Sequence, residues 1–192
     1  EKEKRDWYPS SSADKLYPMS VLESSIWLED GKKLYIPASG ISANGWGALG
    51  PDHEQGEDSK ALPIKFSLLW GSLLERKFYQ GEWELPRDTI LKYLDSKYLD
   101  WRTNKEAGYN ELNFGMAPGG LVVVWLSGVN NQIEIGRFEA KETQVGIKSY
   151  FPGNENITLD DFFDVSESNP EALANFKAKG LPFGLWDNYR QK

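Results

Sequence analysis

Short apolar segments separated by turns rich in Gly and Asn constrain the fold of this 192-residue chain more than any other feature. Between residues 61 and 70, large apolar side chains recur at every second position, which is the period of a strand with one buried face. Asp30-Gly31 and Gln80-Gly81 each separate two such segments, and they predict tight hairpin turns because these residue types tolerate positive φ. Residues 117–120 and 127–131 predict two further turns around a strand at 121–126. The pattern indicates mainly antiparallel sheet.

Three segments carry helical signals instead. Residues 86–100 place apolar side chains on one helical face, Thr158 begins a pattern typical of a capping box, and Asn169-Pro170 starts a segment that ends at Gly180. We therefore expect an α+β fold, a single domain dominated by antiparallel β-sheet and sandwich-like, with about three short helices. Residues 1–15 are predicted to be a flexible charged leader or tether, ordered only from about Trp7, and residues 16–192 to form the β-rich domain.

Composition excludes several classes of function. The chain has no cysteine and one histidine, which removes disulfides, thiol nucleophiles, zinc fingers and histidine-rich metal sites. A net charge of -7 argues against nucleic-acid binding, which depends on neutralising phosphates. No apolar run approaches the ~20 residues of a membrane span. We expect no cofactor and no bound metal.

The segment 45–50 matches the letter pattern of a phosphate-binding loop, G-x-G-x-x-G. The match requires a following helix, and residues 51–56 do not begin one, so the segment is predicted to be a surface loop. His53 stands among acids that lack the spacing of a calcium loop, which favours an exposed acidic loop over a metal or general-base site. Exposed tryptophan is typical of protein interfaces. The candidate partner-binding residues are Trp46, Asp52, His53, Glu54, Glu57 and Asp58.

Two alternatives remain open at this level. Pairs of carboxylates, Glu82 with Glu84 and Glu134 with Glu139, are the minimum that a glycosidase requires, although alternating acids on an exposed sheet face are ordinary. Tryptophans such as those at 70 and 83 could stack a sugar ring, and those at 27, 70 and 125 lie in the most apolar strands and suit the core. Four Trp and Tyr residues lie outside the predicted strands, at positions 46, 101, 186 and 189. Each could contact a partner protein or cover the edge of the core.

Several turn glycines and strand aromatics form recognisable motifs, in segments 114–128 and 133–140 and also at Tyr17-Pro18, Gly45-Trp-Gly47, 69–72 and 77–86. In these motifs the chain resembles a domain-of-unknown-function family of envelope lipoproteins from Gram-negative bacteria. The resemblance runs from about residue 17 to residue 140 and carries no catalytic set. It implies a secreted chain whose mature N-terminal cysteine, absent from this sequence, carries a lipid. Members of this kind are often found beside type VI secretion effectors, including lipases, and look like immunity proteins.

The resemblance, together with the lack of a convincing catalytic constellation, implies a non-enzymatic periplasmic lipoprotein that acts as an immunity protein against a secreted effector. The membrane would be reached only through the N-terminal lipid, and the acidic surface would speed association with a basic patch on the partner. The alternatives are a cell-envelope module that binds glycan or another small ligand and, third, a carboxylate-based glycoside hydrolase.

Overall fold

Two β-sheets packed face to face form the centre of the computed structural model, which describes residues 2–38, 40–50 and 55–181. The helices are α1 Arg87–Leu94, α2 Leu159–Phe163 and α3 Pro170–Lys179, and short 3-10 turns cover Pro118–Gly120 and Ile147–Tyr150. The strands are β1 Lys4–Asp6, β2 Tyr8–Ala13, β3 Met19–Leu28, β4 Lys33–Leu34, β5 Ile41–Ser42, β6 Ser59–Ala61, β7 Pro63–Ser72, β8 Lys77–Glu84, β9 Lys97–Leu99, β10 Glu106–Ala117, β11 Leu121–Gly128, β12 Asn131–Glu139 and β13 Lys141–Thr143.

Sheet I has the strand order β12-β11-β10-β2, with β9 also paired to β10, and sheet II has the order β13-β8-β7-β3-β4, with β5 also paired to β3. A separate ladder joins β1 to β6. All described pairings are antiparallel except β2 with β10, which run parallel. The predicted α+β, sandwich-like fold with three helices is confirmed.

Phe66 of sheet II is the centre of the core between the sheets. Its ring lies 4.9 Å from Phe114 and 5.2 Å from Phe138 of sheet I, measured between ring centroids. At the edge of sheet II, Phe162 and Phe163 of α2 cover Phe78 at 5.3 and 4.9 Å. Burying each aromatic side chain stabilises the fold by roughly 1.5–3 kcal/mol, so these contacts hold the sheets and α2 together.

The turn prediction is confirmed at Asp30-Gly31 and wrong at Gln80-Gly81. Gly31 takes φ +84° between β3 and β4, as a tight hairpin requires. Gln80 and Gly81 instead lie within β8, and the chain reverses at residues 73–76. A Cβ on Gly81 would lie 2.1 Å from the ring of Trp83. The glycine therefore makes room for a tryptophan on the same strand rather than forming a turn.

The helix predicted over 86–100 is half the expected length. It ends at Leu94, and β9 follows because its backbone pairs with β10, placing Tyr98 opposite Ala107. Tyr98 also packs on Tyr109 at 4.9 Å. The other two helices are confirmed, α2 with the Thr158 capping box and α3 with its end at Gly180.

The prediction of a flexible leader over residues 1–15 is wrong for residues 4–13. These residues form β1 and β2, and the side chain of Trp7 is only 2% exposed. The three serines at 10–12, which look like a linker in the sequence, are buried because polar groups of β10 and the following loops bond to them. None of the described helices has the length and apolar character needed to cross a membrane.

Candidate functional site

The Gly-rich loop, residues 45–50, lies over the outer face of sheet I. The parallel register of β2 and β10 sets Ser10 opposite Asn113 and Tyr8 opposite Glu111. Because side chains alternate along a strand, Ser10, Ser12, Glu111 and Asn113 point to the same face of the sheet. We call these four residues the polar layer.

A hydrogen-bonded network connects the members of the polar layer. Asn113 donates to Ser10 Oγ at 2.9 Å and accepts from Ser12 Oγ at 2.7 Å. The Glu111 carboxylate is 2% exposed and accepts from Ser10 Oγ, and from Tyr8 Oη at 3.3 Å. No described Lys or Arg forms an ion pair with it. Hydrogen bonds from neutral groups therefore satisfy this buried carboxyl group.

The polar layer also fixes the loop above it. Asn113 Nδ2 donates to the Ala48 carbonyl at 2.8 Å, and the Gly47 N–H donates to Ser12 Oγ at 3.1 Å. On the other side, Gln132 Nε2 donates to the Gly47 carbonyl at 2.8 Å. A Cβ on Gly50 would lie 2.1 Å from a Ser11 backbone oxygen, so the loop passes directly against β2. The loop is thus held from three strands, β2, β10 and β12, and its conformation is set before any partner binds.

Trp46 anchors the loop rather than projecting from it. Its half-buried ring meets Trp125 edge-on, with centroids 5.1 Å apart and planes at 85°. Both rings pack over Gly115, where an added Cβ would lie 2.4 Å from Trp125 and 3.2 Å from Trp46. The side chain that the loop presents to solvent is Leu49, which is 62% exposed.

The other predicted contact residues lie elsewhere or outside the described residues. Glu57 and Asp58 are exposed beside the β1–β6 ladder. Lys4, at 2.8 Å, and Lys32, at 3.5 Å, hold the pKa of the Glu57 carboxyl below its usual value. The predicted acidic face is therefore partly neutralised at Glu57. Asp52, His53 and Glu54, like Trp186 and Tyr189, lie outside the described residues.

Of the four carboxylates considered for glycoside chemistry, Glu84 and Glu139 are exposed and one of each pair, Glu82 or Glu134, is held in an ion pair. Glu82 accepts from Lys65 at 3.1 Å, and Glu134 accepts from Arg137 at 2.8 and 3.2 Å. The described residues contain no cluster of acids and histidine that could hold a metal ion.

The tryptophans considered for sugar stacking are not free to do so. Trp70 is fully buried, and Trp83 packs on Phe66 at 4.9 Å. Trp125 is buried as expected, whereas Trp27 is only half-buried. Lysine ammonium groups at 4.4 and 4.5 Å stand over the ring of Trp27. These rings therefore belong to the core or lie under lysine side chains.

A second exposed feature, of which the sequence indicates only Trp101, stands at one end of sheet I. Trp101, Leu99 and Val129 are 73%, 64% and 57% exposed. Leu99 ends β9, Trp101 lies in the turn that follows, and Val129 lies in the turn between β11 and β12. The guanidinium of Arg102 lies 4.9 Å from the Trp101 ring centroid. We call residues 99–105 and 128–131 the Trp101 tip. The sequence pattern at 86–100 predicts one long helix, which places Trp101 after a helix. In the structure, Trp101 instead follows strand β9 at the end of a sheet.

Asp100 makes the Trp101 tip rigid. Its buried carboxylate accepts from the Thr103 hydroxyl, from the Thr103 N–H at 3.0 Å, and from Asn130 Nδ2 at 3.0 Å, which joins the two turns. These bonds, that from Thr103 first, lower the pKa of Asp100 to about 2. Tyr98 Oη adds a bond to the Val129 carbonyl at 2.8 Å. The apolar side chains are therefore displayed on a fixed backbone.

Comparison with known proteins gives one result. A family model described as a protein of unknown function (DUF2931) matches residues 1–184. No curated protein and no solved structure matches the chain.

Proposed function

We propose that this chain, which belongs to the DUF2931 family, is a non-enzymatic binding protein of the bacterial periplasm that neutralises a secreted effector. In this proposal it acts as an immunity protein, anchored in its native form by a lipid on the N-terminal side. The effector class implied by the sequence resemblance is a type VI toxin, for example a lipase.

The observation that carries the proposal is the preorganised Gly-rich loop. A loop whose conformation is already set loses little entropy on binding, so more of its contact energy contributes to affinity. Asn113 and Gln132 hold the loop by its carbonyl groups, and Trp46 packs beneath it. Leu49 then offers an apolar contact of the kind found at interface centres. A loop of fixed shape suits occlusion of a partner's active site.

Co-purification with the product of the adjacent gene tests the proposal directly. The chain should bind that product and protect cells that express it in the periplasm. Leu49→Ser should weaken binding about tenfold, a typical loss for one buried contact at an interface. Leu159→Ser, at an exposed position of α2, is the matched control and should bind like the wild type. Absence of binding and of protection would refute the proposal.

A second candidate, binding of an envelope glycan or another small ligand, is favoured by a groove of about 440 Å³ beside β3. The half-exposed ring of Tyr35 lines it together with Ser25 and Ser67, a mixture that suits a sugar. Titration with peptidoglycan fragments, followed by calorimetry, separates the two functions. Saturable binding that Tyr35→Ala abolishes would favour this second function over effector binding.

A further inference from the structure

We propose that the Trp101 tip is a membrane-contact site that docks on an anionic lipid bilayer. This goes beyond the proposed function, in which only an N-terminal lipid reaches the membrane. The Gly-rich loop and the Trp101 tip then have different tasks, the first toward a protein and the second toward lipid.

Three exposed apolar side chains characterise the Trp101 tip. Trp101, Leu99 and Val129 are among the six most exposed large apolar side chains of the described residues, and all three lie at the end of β9 or in the two turns next to it. Tryptophan partitions to the interface between lipid headgroups and acyl chains, because its ring is apolar and its N–H is polar. Leucine and valine beside it add apolar surface that a shallow insertion would bury.

Charge selects the occupant. Lys97, Arg102 and Lys105 lie on β9 and in the turn that follows it and are exposed, although the whole chain has a net charge of -7. One exposed acid, Glu106, lies opposite Leu99 in the β9–β10 register. None of the three cations forms an ion pair with a described residue. Asp100, between Leu99 and Trp101, is buried and engaged by Thr103 and Asn130. An apolar tip whose three exposed cations outnumber its exposed acid complements an anionic bilayer, whose headgroups attract basic side chains and whose interior accepts apolar ones.

Rigidity supports shallow insertion rather than rearrangement. The Asp100–Asn130 bond and the Tyr98–Val129 bond join the two turns and fix the arrangement of the apolar side chains. These side chains are therefore exposed without any rearrangement of the two turns. No described apolar residue covers them, since all three stay more than half exposed.

The position of the N-terminal segment agrees with this orientation. Because β2 runs parallel to β10, the chain before Tyr8 lies toward the end of sheet I where β10 begins, which is the end of the Trp101 tip. Arg5 binds Asp95, two residues before β9. The opposite end carries the turn Pro118–Gly120, where the Gly119 N–H donates to Glu75. An N-terminal anchor would thus hold the Trp101 tip toward the bilayer; this step alone rests on the proposed function.

Co-sedimentation with lipid vesicles tests the proposal. The 192-residue chain is mixed with vesicles of phosphatidylcholine containing phosphatidylglycerol, and with vesicles of phosphatidylcholine alone. We expect binding to the first that weakens as salt is raised, and much weaker binding to the second. Trp101→Ser and Leu99→Ser should each weaken binding about fivefold or more, and the pair Lys97→Gln with Lys105→Gln about fivefold per removed charge.

Matched controls keep the test specific. Leu49→Ser removes a leucine that is equally exposed but lies on the Gly-rich loop, and Lys141→Gln with Lys148→Gln removes the same charge elsewhere. Both controls should bind the anionic vesicles like the wild type, whatever Leu49→Ser does to effector binding. Thermal unfolding should confirm that every variant folds. No binding, no preference for anionic vesicles, or equal losses in the controls would overturn the proposal. Tip variants that bind vesicles normally but lose the effector would assign the Trp101 tip to a protein instead.

Discussion

The side-chain amide of Asn113 donates to the backbone carbonyl of Ala48 at 2.8 Å, joining a buried strand of sheet I to the Gly-rich loop above it. The two residues are separated by 65 positions in the chain. Asn113 is fully buried, and the same amide bonds to Ser10. One side chain therefore couples the parallel pairing of β2 and β10 to the shape of the loop.

Replacing Asn113 with alanine should destabilise the protein by about 1–3 kcal/mol, because buried polar partners lose their hydrogen bonds. The partners affected include the Ser12 hydroxyl and the Ala48 carbonyl. Urea unfolding measures the change. Asn110→Ala, at the exposed register shift of the same strand, should alter the free energy of unfolding by less than about 0.5 kcal/mol. Equal losses at both positions would contradict the role assigned to the polar layer.

Gly115→Ala should destabilise by about 1–3 kcal/mol through overpacking. The added Cβ would lie 2.4 Å from the Trp125 ring, so Trp125 and Trp46 would have to move. Gly146→Ala is the control, since nothing lies within 4 Å of its added Cβ and its φ is -78°. Thermal unfolding compares the two variants, and near-ultraviolet circular dichroism should change only for Gly115→Ala. An unshifted melting temperature in that variant would show that the two rings are loosely packed.

Asp100→Asn should destabilise the protein most at neutral pH and progressively less in acid. The folded state lowers the pKa of Asp100 from 3.8 to about 2. A lowered pKa contributes stability above the unfolded value, and this contribution is lost as pH falls through the folded value. The difference in unfolding free energy between wild type and variant should therefore shrink between about pH 5 and pH 2.

Chemical unfolding at several pH values measures that difference for Asp100→Asn. Asp58→Asn is the control, because Asp58 is exposed and its carboxylate makes no hydrogen bond with the described residues. Its difference from the wild type should stay small throughout. If the difference in unfolding free energy between wild type and Asp100→Asn does not change with pH, the Asp100 carboxylate is not the group that stabilises the Trp101 tip.

Trp101→Ala should leave the free energy of unfolding within about 0.5 kcal/mol of the wild type, as expected for an exposed side chain. Trp125→Ala should cost about 3–5 kcal/mol, because it opens a cavity beneath the Gly-rich loop. Urea unfolding of both variants tests the contrast. A large loss at Trp101 would mean that the Trp101 tip supports the fold rather than a ligand.

The hairpin at Asp30-Gly31 and the Thr158 capping box could be predicted because their signals are local. Gly81 could not, since the reason for a glycine there is the ring of Trp83, which crosses it only once the strand is formed. The candidate site was predicted in part. The sequence predicts that residues 45–50 form a loop. It does not predict that Trp46 anchors this loop, because the anchoring contact is with Trp125, 79 positions further along the chain.

The sequence by itself determined the alternation of strands and turns, the sandwich-like class and the absence of cysteine-based chemistry, because these depend on period, residue type and count. Only the tertiary structure decided that Ser10–Ser12 are a buried strand and that Leu99, Trp101 and Val129 are exposed at one end. Burial depends on which distant segments meet. Polar serines are buried where β10 bonds to them, and an apolar tryptophan stays exposed where no described element covers it.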